Sequence, residues 1–389
     1  MSGAALVRAD CAGEARALAA LDAMTLDALL LRAAQSRPEA LALAGSPDAQ
    51  SWTFAGLNAE VSRVAGRLTA LELDAGATVL VSGAASPHTL IAALATMRAG
   101  LRTALAPLGF GPAGLADACA ACGATALIGA GGHEFGDVRA LLAAAAAAAP
   151  GVRLVATCGT GAGNGIVNLD EEGDSAALDE GAASLAPVTF TRNAVGFLPV
   201  EHSAAKLAAS ALALLRCLPG VGSPVLSTLA PVTLAGLISG PMAAWISAGA
   251  LWLHGPFECR TFAQTLERAG GAHVIAPASL ADDFRGLDEL SRAFASLTLM
   301  HRNLDTVIPP PLQSIRAMEC IIDLYALGES AVLASPREGR RVPRSLPGTA
   351  RYINVAGYST LAVECRQNTA GGLDIRGAAT NAGKEWRPA

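Results

Sequence analysis

The chain has 389 residues, 52% of them hydrophobic and 16% charged, with a formal charge of −5. That length provides for a large core and more than one subdomain. The acidic balance gives no reason to expect nucleic acid or an anionic membrane surface as partner. The N-terminus carries Arg8, Asp10 and Glu14 and lacks the apolar core of a signal peptide. Thr25 reads as the N-cap of a helix through "LDALLLRAAQS", with Pro38 beyond its end. Strand-like "ALALAG" follows. "SWTF" leads into a helix, "AGLNAEVSRVAGRLTAL", and "ATVLVSG" reads as a buried strand. A helix over "HTLIAALATMRAG" ends at Gly100. Strands "RTALAPL" and "ATALIGA" flank another helix at about 112–121. The alanine run 143–149 belongs in a helix, because alanine favours it most. Strand "VRLVATC" precedes a polar segment, 159–186, with Asp170, Glu171, Glu172 and Asp174, which reads as a solvated connection.

Apolar strands and helices then alternate again: "PVTFT", a helix over 202–216, "PVLSTL", a helix near 234–247, "GALWLHG", a helix over 260–269, "HVIAP" and "ASLTLM". Residues Cys217–Phe257 contain no Asp, Glu, Lys or Arg. Pro219, Pro224, Pro231 and Pro241 cut this stretch into pieces too short to cross a bilayer, so no membrane span is expected. Beyond "ECIIDLY" helices thin out, and "RYINVAGYSTLAVECRQ" alternates like a hairpin. The fold class expected is α/β, with two mainly parallel, helix-covered sheets and a smaller β-rich C-terminal subdomain. The expected divisions are an extension over 1–24, a first subdomain over 25–186, a second over 187–335 and the β-rich part over 336–389.

Cys119 and Cys122 form the one C-x-x-C pair among eight cysteines, with no further ligands at zinc spacing. Reduced cysteines in a cytoplasmic protein are expected. Six histidines are too scattered to suggest a triad or a metal set. Lysine occurs only at Lys206 and Lys384.

The order of several segments resembles the large N-terminal domain of the AMP-forming adenylating superfamily, which includes acyl- and aryl-CoA synthetases, adenylation domains and luciferases. "SWTFAGLNAEVSRVAGRL" is similar to that family's entry helix. "LAPVTLAGLISG" is similar to its "P-x-x-H-x-x-G" region, "DLYALGES" to "Y-G-x-T-E", "SLPGTARYINV" to "P-G-x-x-x-x-I/V" and "GGLDIRG" to "G-E-L-x-V-R-G". The resemblance implies a reaction in which ATP and a carboxylic acid form an acyl-adenylate and pyrophosphate, after which a thiol takes the acyl group. It implies a Ser/Thr/Gly-rich phosphate loop ending in lysine, a magnesium-binding glutamate, a ribose-binding aspartate and a small mobile domain.

Residue by residue, the match is incomplete. In "FTRNAVGFLPVEHSAAK", Thr191 and Gly196 fall in register with the phosphate loop. Its remaining Ser, Gly, Thr and Thr positions hold Arg192, Asn193, Ala194 and Val195, and Leu198-Pro199 stand for Pro-Lys. Arg192 is either a phosphate contact or an ordinary loop arginine. Tyr325 and Glu329 match the tyrosine and the metal glutamate; Glu329 is either a magnesium ligand or a capping carboxylate. Thr233 stands at the gate position of the acyl pocket, followed by Gly236, and with Trp245 these residues line a pocket or form core. The segment Arg302-Asn303-Leu304-Asp305 does not match the pocket-wall turn. Arg337, Arg340, Arg341 and Arg344 form a loop that is either solvated or receives a CoA phosphate or acidic carrier protein. Lys384 reads as a surface lysine. The ribose aspartate and small C-terminal domain are expected to be absent.

Two functions fit this pattern. One is a degenerate relative that binds an acyl or aryl ligand, a carrier protein or a second copy of itself without adenylating anything. The other is an active ligase, using ATP and magnesium, with an atypical phosphate loop or a separate small-domain partner.

Overall fold

The computed structural model describes residues 13, 15–47, 49–131, 136–161, 163, 165–171, 176, 185–220, 222–281, 283–284, 293–302, 320–337, 346, 348–369 and 372–388. Thr25 caps helix α1 (Leu26–Ser36) by accepting from the Ala28 amide at 3.1 Å. Strands β1 (Leu41–Ala44) and β2 (Ser51–Thr53) lead into α2 (Phe54–Ala70). The succession then runs β3 (Thr78–Gly83), α3 (Pro87–Arg98), β4 (Arg102–Pro107), α4 (Gly111–Cys122), β5 (Ala126–Ala130), α5 (Val138–Ala148), β6 (Leu154–Cys158) and β7 (Val167–Asn168). Next come β8 (Val188–Asn193), β9 (Gly196–Glu201), α6 (Ala204–Leu215) and β10 (Val225–Ser227). Short helices α7 (Leu234–Leu237) and α8 (Ala243–Ile246) flank a π-helical turn at Ile238–Met242, where Pro241 withholds an amide. The chain continues through β11 (Leu251–Leu253), α9 (Cys259–Ala269), β12 (Ala272–Pro277), β13 (Phe294–His301), β14 (Ile321–Leu327) and β15 (Ala331–Pro336). It closes with β16 (Ala350–Val355), β17 (Tyr358–Gln367), β18 (Leu373–Gly377) and β19 (Gly383–Pro388).

Three sheets result. A seven-stranded sheet has the order β7-β6-β5-β3-β4-β8-β9, and an eight-stranded sheet the order β15-β14-β13-β12-β10-β11-β1-β2. Both are parallel except at the β8/β9, β14/β15 and β1/β2 pairs. Strands β16–β19 form an antiparallel meander. The inner strands β3 and β5 are buried along their whole length, as strands covered by helices on both faces must be. Helices α4 and α5 cover one face of the seven-stranded sheet. Helix α9 covers one face of the eight-stranded sheet. Helices α1–α3 and α6–α8 fill the shared core between the sheets.

The boundary expected at 186/187 does not separate the sheets. Strands β1 and β2 complete the eight-stranded sheet, whereas β8 and β9 join the seven-stranded one. Segments 25–186 and 187–335 therefore each supply strands to both. Between-sheet crossing of this kind leaves no mark in local periodicity.

Among the described residues no helix is long and apolar enough to cross a membrane. The described cysteines are free, and Cys119 is buried on α4. Burial raises its thiol to about 12. Arg337 departs from the solvated-loop reading. It follows β15 and is buried, with Nε donating to Oδ2 and Nη2 to Oδ1 of Asp323, each at 2.7 Å. Arg340, Arg341 and Arg344 lie outside the described residues, as do Glu172, Asp174 and Asn303-Leu304-Asp305.

Candidate functional site

The stretch expected to be a phosphate loop is a β-hairpin. Strands β8 and β9 pair antiparallel from Val188↔Glu201 to Asn193↔Gly196, leaving only Ala194 and Val195 in the turn. Val195 is 92% exposed. The Asn193 side-chain oxygen accepts from the amides of Val195 at 2.8 Å and Gly196 at 3.1 Å. This is the way asparagine stabilises a tight turn. Gly196 has φ of +135°, which a side chain would strain. Both turn amides are thus held by the Asn193 side chain. Ser203 then caps α6 by accepting from the Lys206 amide, so that helix starts two residues later than expected.

Hairpin, the N-terminal part of α4 and the β14–β15 turn enclose a cavity of about 530 Å³. It lies beyond the C-terminal ends of β13 and β14, the usual place for a ligand in such sheets. Thr191 and Arg192 line one side, Ala326, Gly328 and Glu329 another, with Asp117 and Arg302 nearby. Phe110 and Phe197 stack at 4.3 Å between ring centres as an apolar wall, and Arg192 lies over Phe197 at 5.7 Å. The wall suits a flat or apolar body, and the two arginines suit an anionic end.

Glu329 is bound inward. Its Oε2 accepts from the Thr189 hydroxyl at 2.8 Å and from the Leu234 amide at 2.6 Å. The hydroxyl proton of Thr189 is committed to Glu329, so Thr189 accepts from His202 Nε2 at 2.6 Å. That fixes His202 Nδ1 as an acceptor, and Lys206 Nζ donates to it at 2.9 Å. Lys206 also donates to the main-chain oxygen of Glu329 at 3.0 Å. The result is one directed chain, Lys206 to His202 to Thr189 to Glu329. Burial raises the Glu329 carboxyl, opposed by the Leu234 amide and the Thr189 hydroxyl. Burial lowers Lys206 to about 7, opposed by the charge of Glu329. It also holds His202 well below the usual imidazole range, with the charge of Lys206 adding to the effect.

Of the five sequence candidates for this site, Thr191, Arg192 and Glu329 meet at the cavity. Gly196 starts β9, just after the hairpin turn, and does not line the cavity. Tyr325 is buried on β14 and stacks on His301 at 5.1 Å, while its neighbour Ala326 lines the cavity. Thr233, Gly236 and Trp245 line neither this cavity nor a second one of about 360 Å³ beside His254. Thr233 caps α7 by accepting from the Gly236 amide at 3.1 Å. A Cβ on Gly236 would come within 2.0 Å of the Ala230 carbonyl oxygen. Trp245 is buried and donates from Nε1 to the Ala42 carbonyl at 3.3 Å.

Sequence reading missed Thr189, His202 and Lys206. A signal existed: Lys206, Ser210 and Leu214 share the buried face of α6 at intervals of four. A lysine on such a face needs a partner. Sequence reading also missed the buried Asp323–Arg337 pair, to which His301 adds a hydrogen bond from Nε2 at 2.7 Å. Burial alone would raise the Asp323 carboxyl; the hydrogen bonds from His301 and Arg337, with the charge of Arg337, outweigh it and hold the group below its usual value.

The AMP-binding enzyme family model matches residues 30–379, and the chain belongs to that family. No curated protein matches the sequence. Solved structures share the fold. Mycobacterium smegmatis MbtA is 19% identical with a TM-score of 0.69, over 92% of this chain and 68% of that one. The N-terminal subdomain of Klebsiella oxytoca NpsA, solved with 3-hydroxybenzoyl-AMSN, is 15% identical with a TM-score of 0.64, over 91% and 87%. A Mycobacterium tuberculosis fatty acyl CoA synthetase is 15% identical with a TM-score of 0.69, over 92% and 71%.

The family implies ATP and magnesium, and Glu329 stands at the position that the resemblance gives to the metal carboxylate. One oxygen of Glu329 is committed twice. Among the described residues no group of three carboxylates, histidines or cysteines could hold a metal. Magnesium also relies on substrate phosphates for ligands.

Proposed function

We propose that this protein is a ligand-binding member of the AMP-binding enzyme family that does not form adenylates. The observation that carries this reading is the double commitment of Glu329 to Thr189 and Leu234. The ligand is an acyl or aryl carboxylic acid. Its apolar body lies against Phe110 and Phe197, and its carboxylate faces Arg192 and Arg302. The setting in this reading is cytoplasmic, in a biosynthetic pathway, with a carrier protein or a second copy of the chain as partner. A native mass measurement decides between these partners.

Convergence of Thr191, Arg192 and Glu329 on one cavity favours the alternative, an active ligase with an atypical phosphate loop. Pyrophosphate exchange separates the two. The non-catalytic reading expects no exchange with benzoate, hydroxybenzoate or a series of fatty acids. Exchange that disappears in Glu329→Gln would establish the ligase.

A further inference from the structure

The second cavity, of about 360 Å³, lies beyond the C-terminal ends of β3, β4, β10, β11 and β12, and so draws on both large sheets. Such strand ends are where α/β folds hold ligands. Gly109 lines both cavities, but their walls differ in kind. The first carries Asp117, Arg192, Arg302 and Glu329. Among the described residues no Asp, Glu, Lys or Arg lines the second, and Leu108, Phe257 and Leu280 give it an apolar wall.

His254 follows β11, is 1% exposed and lines this second cavity. On α9, the Thr265 hydroxyl donates to the Thr261 carbonyl at 2.8 Å. The Thr265 oxygen therefore accepts from His254 Nδ1 at 3.1 Å. With the proton on Nδ1, Nε2 of the neutral ring is an acceptor. Among the described residues Nε2 meets no donor. Thr265 does not line the cavity, so the ring turns Nδ1 toward α9 and Nε2 away from it. Burial lowers the imidazole to about 4, opposed by the charge of Glu258, and the ring stays neutral near pH 7. A buried acceptor without a donor is costly to the fold, and a ligand that supplies the donor recovers that cost.

We propose that this second cavity binds a neutral phenol, whose hydroxyl donates to His254 Nε2 and whose ring lies against Leu108, Phe257 and Leu280. The half-buried Phe257 packs edge to face on the imidazole at 6.5 Å between ring centres. It turns aside to admit the hydroxyl, a side-chain change of the kind that binding commonly brings. A carboxylate is rejected, because its charge would face the Nε2 lone pair with no cation in the wall. The site therefore differs from the first cavity in the charge of its ligand, and it stands whether or not adenylates form there.

The experiment is titration of the full chain with phenol, anisole and benzoate at pH 7, where phenol keeps its proton as tyrosine does. Calorimetry gives the affinities, and the nitrogen NMR resonance of His254 Nε2 reports the contact. Phenol should bind about ten-fold more tightly than anisole, which has the same ring and no donor. It should also move the Nε2 resonance to lower frequency, as accepting a hydrogen bond does. Benzoate should leave that resonance in place, even where it binds the first cavity. His254→Phe should bind phenol and anisole alike. Phenol that does not bind at millimolar concentration, or binds no better than anisole, would overturn the proposal. So would an Nε2 resonance that phenol leaves unmoved or that benzoate moves equally, or a folded His254→Phe that keeps the preference for phenol. The wild-type titrations decide the matter even where His254→Phe fails to fold.

Discussion

The buried Lys206 donates from Nζ to the main-chain oxygen of Glu329 at 3.0 Å. This contact ties α6 to the β14–β15 turn and thereby to the cavity. It has a measurable pH signature. The folded-state pKa of Lys206 is lowered from 10.5 to about 7. Between those values the unfolded chain binds the extra proton, so stability gains from rising pH. Wild type should gain on Lys206→Met as pH rises from about 7 to about 10, by up to about 5 kcal/mol. Urea unfolding of both proteins across that range measures the difference. A constant difference would show that Lys206 is not desolvated as described.

Thr189 links His202 and Glu329 through one hydroxyl. Thr189→Val keeps the shape and strands a buried N–H of His202. The expected cost is about 1–3 kcal/mol. Thr191→Val, at the cavity wall, should cost much less. Chemical denaturation of the pair checks the contrast.

Arg337→Met leaves the Asp323 carboxylate buried with only His301. Loss of one partner from such a pair costs about 3–5 kcal/mol. The Asp323 carboxyl is depressed in the folded state, so its contribution is complete above about pH 4 and is lost as pH falls through the folded value. The deficit of Arg337→Met should therefore narrow in acid. Parallel unfolding curves at neutral and acid pH test this.

Asn193→Ala releases the amides of Val195 and Gly196. Hydrogen exchange at those two amides should quicken, while global stability changes by about 0.5 kcal/mol or less, because the turn is exposed. Equal exchange in both proteins would mean that the Asn193 side chain does not hold them.

How much of this was legible beforehand depends on where each signal lies. Thr25, the buried strand "ATVLVSG" and the late hairpin were readable because caps and periodicity are local. The family was readable from the order of short segments, of which "DLYALGES" supplied Glu329. The mixing of β1–β2 and β8–β9 between sheets was not, since such pairing joins residues far apart in the chain, as at Leu43↔Leu251 and Ala104↔Val188. Arg337 looked like a member of an exposed basic loop because its partner Asp323 lies on the neighbouring strand. Lys206 looked like the end of a motif rather than its centre. Its role depends on Glu329, which only the fold brings near.

The central proposal is that this protein does not bind ATP and magnesium at the Glu329 cavity. Titration calorimetry of the full chain with ATP and magnesium tests it most directly. The account predicts no binding at micromolar ATP, with Glu329→Gln indistinguishable from wild type. Micromolar binding by wild type that Glu329→Gln abolishes would contradict it.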